Sequence, residues 1–255
     1  NALSSAAVQS ILAVKVVPWS IVKFDIIATT SLPYKLFILL LIAQMGFSQE
    51  TTTKNLGDFD AVKVFDKISV QLIPSEESKI ELSGKNSSEV EIVNNNGELK
   101  VRMPIGKFLS GEDVTALLYY KNIQSLDACE GSYVSSEKAI KQISFSLNSK
   151  EGAEIKLKLE VQKLSIRATS GGIINLEGTA KNQDIIISSG GVLNAKDLQT
   201  EQTNVSINAG GTADVRASEL LDAKVRAGGT ITIFGKPKQI NQKTVLGGSI
   251  NQSNR

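Results

Sequence analysis

Histidine is absent from all 255 residues, and that absence excludes much chemistry at once. No Ser-His-Asp triad, Cys-His dyad or imidazole-ligated metal site can be built without it. A single cysteine, Cys129, rules out an intramolecular disulfide. With no imidazole to activate it, Cys129 reads as a small core residue rather than a nucleophile. Aromatic residues make up only 5% of the chain, and the one tryptophan, Trp19, lies in the N-terminal 48 residues. An excess of one charge is lacking as well. Of 28 basic and 26 acidic residues, the first 48 positions hold Lys15, Lys23, Lys35 and Asp25, so the remainder balances to zero. A neutral, evenly mixed surface speaks against nucleic acid or an anionic membrane as the partner. The apolar run from Leu36 to Ala43 has eight residues, well short of the ~20 that a membrane span needs.

That short run has a different meaning. It follows Lys35 and precedes the small residues Gly46 and Ser48, the layout of a secretory signal peptide cut after Ser48. Residues 1–48 are therefore expected to be a leader, made of upstream residues plus the signal peptide. The exported protein would then reside in the periplasm, at the cell surface or outside the cell, with no membrane insertion after cleavage. An N-terminal anchor of two apolar pieces is the alternative. No cysteine stands just after the run, where QMGFSQE follows, so lipoprotein attachment is not indicated. Residues 49–58 are polar and Thr-rich, a flexible lead-in by composition.

What the chain does have is a repeat. A glycine-centred signature recurs as EGSYV, EGAEI, SGGII, SGGVL, AGGTA, AGGTI and LGGSI. The lead glycines are Gly131, Gly152, Gly171, Gly190, Gly210, Gly228 and Gly247, at gaps of 21, 19, 19, 20, 18 and 19 residues. A fixed period near 20 residues is the signature of a solenoid, each repeat forming one rung. After each corner, apolar residues alternate with polar ones, as in Ile174-Asn175-Leu176 and Ile231-Thr232-Ile233, which is a strand with one buried face. A second alternating strand precedes the next glycine: Ile185 and Ile187, Val205 and Ile207, Ala223 and Val225. Glycine suits the corner between them because it accepts positive φ and close backbone approach. Hairpins would need turn signals every 8–12 residues and would reverse the face order. The order instead returns unchanged, so equivalent strands stack in parallel. The links EGTAKNQ, KDLQTEQTN and FGKPKQINQ vary in length and composition and are expected to form the loop side.

The expected fold is all-β: a parallel β-helix (β-solenoid) with rungs of about 19 residues over 129–255, continuous as one domain with an irregular N-terminal β cap over 59–128. Within the cap, Asn96-Gly97 predicts a type I′ hairpin inside VEIVNNNGELKVRM. PIGKFLSGED (104–113) reads as a loop.

At this point the residues resemble a family, the head GIN domain proteins labelled autotransporter adhesins. The likeness runs from about Phe59 to Asn251. It rests on FDAVKVFDKISVQLIPSE, the hairpin NGELKVRM, the step IQSLDACEGSYV, the small-Gly-small corners and the closing ITIFGKPKQINQKTVLGGSI. It implies a secreted right-handed parallel β-helix of the kind found in Bacteroidetes-type bacteria. It carries over no functional residues. The corners here are Gly-Gly or Gly-Ala where that family often has Gly-Ser-Gly.

Parallel β-helices include polysaccharide lyases, which combine clustered acids for calcium with a basic residue that abstracts a proton. The nearest candidate set is Asp214 with Arg216, Lys224 and Arg226, but the positions above and below Asp214 are Asn194 and Thr232. A solvated face of mixed charge explains it better. No catalytic, cofactor or metal site is therefore expected.

The feature to single out is the outward column Asn175, Asn194, Asp214, Thr232 and Asn251, one per rung. It can be a glycan-contacting strip or an amide ladder that stiffens the coil. The ladder is the stronger expectation, because Tyr119, Tyr120 and Tyr133 lie toward the cap and leave the strip without an aromatic platform. The reading that results is an exported, non-enzymatic envelope adhesin or binding module whose partner is a glycan or a cell-surface protein. A carbohydrate-active enzyme and a self-assembling scaffold are the alternatives.

Overall fold

Residues 51–253 are described by the computed structural model; the expected leader over 1–48 lies outside the described residues. Two strands per turn, one on either side of a glycine corner, wind this chain into a parallel β-solenoid. In the middle of the coil the strands are long: β10 (Ile140–Lys150), β11 (Glu154–Thr169), β12 (Ile173–Ser188) and β13 (Val192–Asn208), after β8 (Ser125–Ala128) and β9 (Tyr133–Ser135). The later rungs are split into β14 (Thr212–Arg216), β15 (Leu220–Arg226), β16 (Thr230–Phe234), β17 (Gln239–Val245) and β18 (Ser249–Gln252). Neighbouring rungs pair in parallel and in register, so Ile155, Ile174, Leu193, Ala213, Ile231 and Ile250 form one inward column. All of them except Ile250 are fully buried. Each such isoleucine or leucine removed from water contributes on the order of 1.5–3 kcal/mol.

The two glycines of a corner serve different needs. At Gly190, φ is +78° and an added Cβ would touch nothing within 4 Å, so the need is conformational. Ser189 before it also has positive φ, +50°, and Gly191 N–H donates to the Ser188 carbonyl at 3.1 Å, the geometry of a type I′ turn. At Gly191 a Cβ would sit 2.2 Å from the Ala168 carbonyl of the preceding rung, so the need there is space.

The link between the two sides is not a loop in the middle rungs. β11 and β12 pass through it as unbroken ladder, Lys158↔Glu177 through Leu164↔Gln183, and β12 with β13 do the same. The polar residues of EGTAKNQ and KDLQTEQTN alternate with Ala180, Leu198 and Thr200 pointing inward, and a continuous parallel ladder satisfies the backbone without a turn. The link opens at 136–139 in the first of the glycine-cornered rungs and again in the last ones, at 217–219 and 235–238. Where β14 ends, the Arg216 carbonyl takes side-chain donors instead: the Thr200 and Thr203 hydroxyls, with Gln183 Nε2 bonded to Thr203 Oγ1 at 2.8 Å.

The N-terminal segment holds more of the solenoid than its lack of glycine suggests. β2 (Ala61–Val64) lies between β6 (Glu98–Arg102) and β8, and β3 (Ser69–Pro74) lies between β7 (Thr115–Tyr120) and β9, all in parallel. The first rung in sequence is therefore the second in the stack. Its corner is Asp66-Lys67, with φ of +60° and +62°, and Lys67 N–H donates to the Glu130 carbonyl as Gly131 N–H does to that of Glu151. The strain of Asp66 is offset by its buried carboxylate, which accepts from the backbone N–H of Met103 (2.9 Å) and Leu109 (3.0 Å) and so staples the 104–113 loop. The hairpin β5 (Glu91–Asn95) to β6 turns at Asn96-Gly97 as its sequence predicts. The expected flexible lead-in is instead partly strand. β1 (Thr52–Asn55) pairs antiparallel with β4 (Lys79–Ser83), which pairs antiparallel with β7. The open edge of β4 needs a partner, and threonines take extended backbone readily.

Candidate functional site

On the side that follows the glycine corner, the outward residues Ser135, Lys156, Asn175, Asn194, Asp214, Thr232 and Asn251 fall in one register column. The column is as the sequence spacing implies, but its members behave differently. Asn194 Nδ2 donates to Asn175 Oδ1 at 2.7 Å, and Asn175 Nδ2 donates to Glu154 Oε1 at 2.8 Å. The ladder ends there. Asn251 bonds its own strand neighbour Ser249 at 3.5 Å, and no hydrogen bond joins Asn194 to Asp214.

Asn175 and Asn194 lie in a groove of about 620 Å³ that also draws on Tyr133, Glu137, Lys156 and Lys196. Asp214, Thr232 and Asn251 are outside it. Two irregularities in the ladder shape the groove. At one end, residues 136–139 oppose only Leu157 and Lys158, because pairing runs Ser135↔Lys156 and then Ile140↔Leu159. At the other, Ala195 and Lys196 oppose Leu176 alone, between Asn175↔Asn194 and Glu177↔Asp197. Such insertions bend a strand outward and leave a hollow beside it. They are also the cause of the 21- and 20-residue gaps in the glycine period, so the site has a signal in the spacing itself. Tyr133 supplies the aromatic face that the sequence reading placed away from the strip.

One wall of the groove is a second column, Lys158, Glu177 and Asp197. Lys158 and Glu177 form an ion pair at 2.8 Å, and the hydrogen bond that Lys158 donates to Glu177 pushes its ammonium above the usual lysine range. Lys156 and Lys196 have no carboxylate partner among the described residues.

The other face carries a polar column that the sequence reading did not single out. Asp184, Asn204, Asp222 and Asn241 stack in register beside a smaller hollow, with Asn204 Nδ2 bonded to Asp184 Oδ1 at 3.4 Å. Counting from the following corner rather than the preceding one exposes it.

The lyase-like set does not assemble. Asp214 and Arg216 are on β14, whereas Lys224 and Arg226 are on β15, across the coil's bend. Arg216 Nε donates to the Lys196 carbonyl at 2.6 Å, and Lys224 pairs with Asp222 at 3.0 Å. Among the described residues no three His, Cys, Asp or Glu side chains converge as a metal site. Cys129 is buried, and burial pushes its thiol up to about 11, which keeps it protonated at neutral pH. Tyr120, also buried, is pushed up to about 12 for the same reason, while Tyr119 lies beneath Lys79, whose Nζ is 4.4 Å from the ring centroid.

A parallel β-solenoid with a polar groove on one side is thus the class of protein that fold and site define. Over residues 58–237 the chain matches the family described as "Putative auto-transporter adhesin, head GIN domain", and it belongs to that family. The match stops at Pro237, short of the last rung that the resemblance includes. Comparison with curated proteins gives no match. Among solved structures, the chain is similar to a "putative adhesin" from Bacteroides fragilis at 17% identity and TM-score 0.75, covering 82% of this chain and 98% of that one. It is also similar to a "putative adhesin" from Parabacteroides merdae (20%, TM-score 0.63, 82% and 98% covered). A "putative lipid binding protein" from Parabacteroides distasonis has the same fold (17%, TM-score 0.62, 82% and 98% covered). At these identities the likeness is one of fold. Family membership supports an adhesin-like role.

Proposed function

We propose that the chain is an exported, non-enzymatic adhesin-type solenoid that holds a glycan in the groove between Tyr133 and Lys196. One observation carries this reading: two insertions in an otherwise regular ladder open a polar groove over a hydrogen-bonded amide pair and place an aromatic ring at its end. Short side chains on a rigid coil lose little freedom on contact, so the free energy of binding is not consumed in ordering the site. The separation of Asp214 from Lys224 and Arg226 speaks for binding rather than turnover.

A stiffening role for the amides is the second reading, favoured by the Asn194–Asn175–Glu154 chain of bonds. One experiment separates the two. Residues 49–255 are screened on a glycan array beside the double variant Asn175→Ser/Asn194→Ser and the control Asp214→Ser. Binding that falls at least tenfold in the double variant alone, with a melting temperature within a few degrees, supports the groove. The two hydrogen bonds, one exposed and one part-buried, contribute about 1–3 kcal/mol together if the pair is structural, and a drop of roughly 2–4 °C per kcal/mol with binding retained favours the ladder.

Export has its own check. Gly46 and Ser48 occupy the small-residue positions of a cleavage site, so mass spectrometry of envelope fractions should find a mature N-terminus at or near Gln49. Recovery of residues 1–48 in the mature protein would contradict it.

A further inference from the structure

We infer that the groove takes a linear acidic polysaccharide, laid along the coil axis, with carboxylates on alternate sugar units. The inference rests on the reading that this groove is the binding face, and it adds the ligand's charge, direction and repeat. Three features of the side chains lead there.

The first is the order of groups along the axis: Lys156, then the amides Asn175 and Asn194, then Lys196 on the same rung as Asn194. Two cations without carboxylate partners bracket a pair of neutral hydrogen-bonding groups. The second is spacing. Lys156 and Lys196 stand two rungs apart, roughly 10 Å along the axis. One rung is comparable with the length of one pyranose, so the cations meet every second unit while the amides face the hydroxyls between. The third is Tyr133, whose register partner Glu154 is one rung beyond Asn175 on the Lys156 side. It places a ring face where the end unit of the chain would lie.

The groove also contains acids, and their arrangement matters. Glu177 is neutralised by Lys158 at 2.8 Å, and Asp197 lies in that same wall column, three residues along the strand from Asn194. Within the groove, Lys156 and the two amides share one column and Lys196 stands two residues beyond Asn194, while Glu177 and Asp197 line the flank; Asp214, next in the amide column, lies outside the groove. An uncharged polymer would leave Lys156 and Lys196 without a counter-charge, and a densely charged one would set carboxylates against Glu137 and Asp197.

The test uses residues 49–255 with hyaluronan and unsulfated chondroitin oligosaccharides, whose carboxylates alternate, and with the same fragments as carboxyl methyl esters, by titration calorimetry. Binding of the acid forms should strengthen with length up to about four units, one for each rung of the groove, and then level off. It should weaken at least tenfold in the esters, weaken at least tenfold in Lys156→Ala/Lys196→Ala, and fall with added salt as screening sets in. Esters that bind as tightly as acids would overturn the acidic class while leaving the groove assignment standing. Failure of both acid forms, with other glycans captured on the array through Asn175 and Asn194, would overturn it too. If no glycan binds at all, the underlying reading fails with it. The circular dichroism of the double variant should match the parent, since both lysines are exposed and unpaired.

Discussion

Ile207→Asp should unfold the coil at temperatures where the parent is intact, whereas Ser206→Asp, one residue away, should be nearly silent. Ile207 is fully buried, stacked between Ile187 and Val225 on neighbouring rungs. A carboxylate there has no donor within reach and no route to water. Its burial costs several kcal/mol on top of the lost isoleucine packing, so a loss of about 4 kcal/mol or more is expected. For a domain of this size that corresponds to a melting temperature lower by roughly 8–16 °C. Ser206 faces outward between Ile186 and Lys224. A surface aspartate beside a lysine changes stability by less than about 0.5 kcal/mol. Thermal unfolding of the two variants side by side checks the inward and outward assignment; equal shifts would mean the faces are exchanged.

The second large effect is at the corner. Gly190→Ala should cost about 1–2 kcal/mol, since the substituted residue keeps a left-handed φ of +78° but meets no neighbour. Gly191→Ala should cost more, at least ~3 kcal/mol, because its Cβ would lie 2.2 Å from the Ala168 carbonyl and 2.6 Å from the carbonyl carbon. Backbone cannot rotate away as a side chain can. Relieving the clash means separating two rungs and lengthening ladder hydrogen bonds. Ser132 and Ala153 hold the equivalent place in the two corners nearest the cap, so this tight approach begins at Gly172. Denaturant titration of the pair would show whether space or backbone conformation governs these corners.

How much of this was legible in the sequence follows from where glycine is required. Positive φ at two successive residues, repeated at a fixed interval, leaves a mark in composition, and alternation of Ile174-Asn175-Leu176 shows which face is inward. From Gly131 onward, face and rung order followed directly. The corner at Asp66-Lys67 left no such mark. There the backbone is held in the left-handed region by tertiary contacts, chiefly the hydrogen bonds that the Asp66 carboxylate accepts from Met103 and Leu109. The rung it belongs to, β2 with β3, therefore went unrecognised as a rung. Long-range pairing is equally hard to see from local pattern: Thr52–Asn55 looks like a tether until β4 needs an edge partner. The links fared likewise, since EGTAKNQ reads as loop by composition yet is continuous strand.

The groove was half legible. Asn175 and Asn194 stand out by spacing, and Cys129 declares itself a core residue by lacking a histidine. Tyr133 did not, because it belongs to an earlier segment that only the stacking of β9 on β11 brings beside Lys156. The better signal was the period itself. Gaps of 21 and 20 residues mark the two places where the ladder takes extra residues, and those places are the ends of the groove. In a solenoid, departures from the period are where a site can be built without disturbing the core.

The measurement that bears most directly on this assignment is hydrogen–deuterium exchange of residues 49–255 with and without a captured glycan. Protection should rise at Tyr133–Glu137, Lys156–Lys158, Asn175–Glu177 and Asn194–Asp197, and stay unchanged on the opposite face. Protection centred instead on Asp184, Asn204 and Asp222 would contradict it and move the binding site to the other side of the coil.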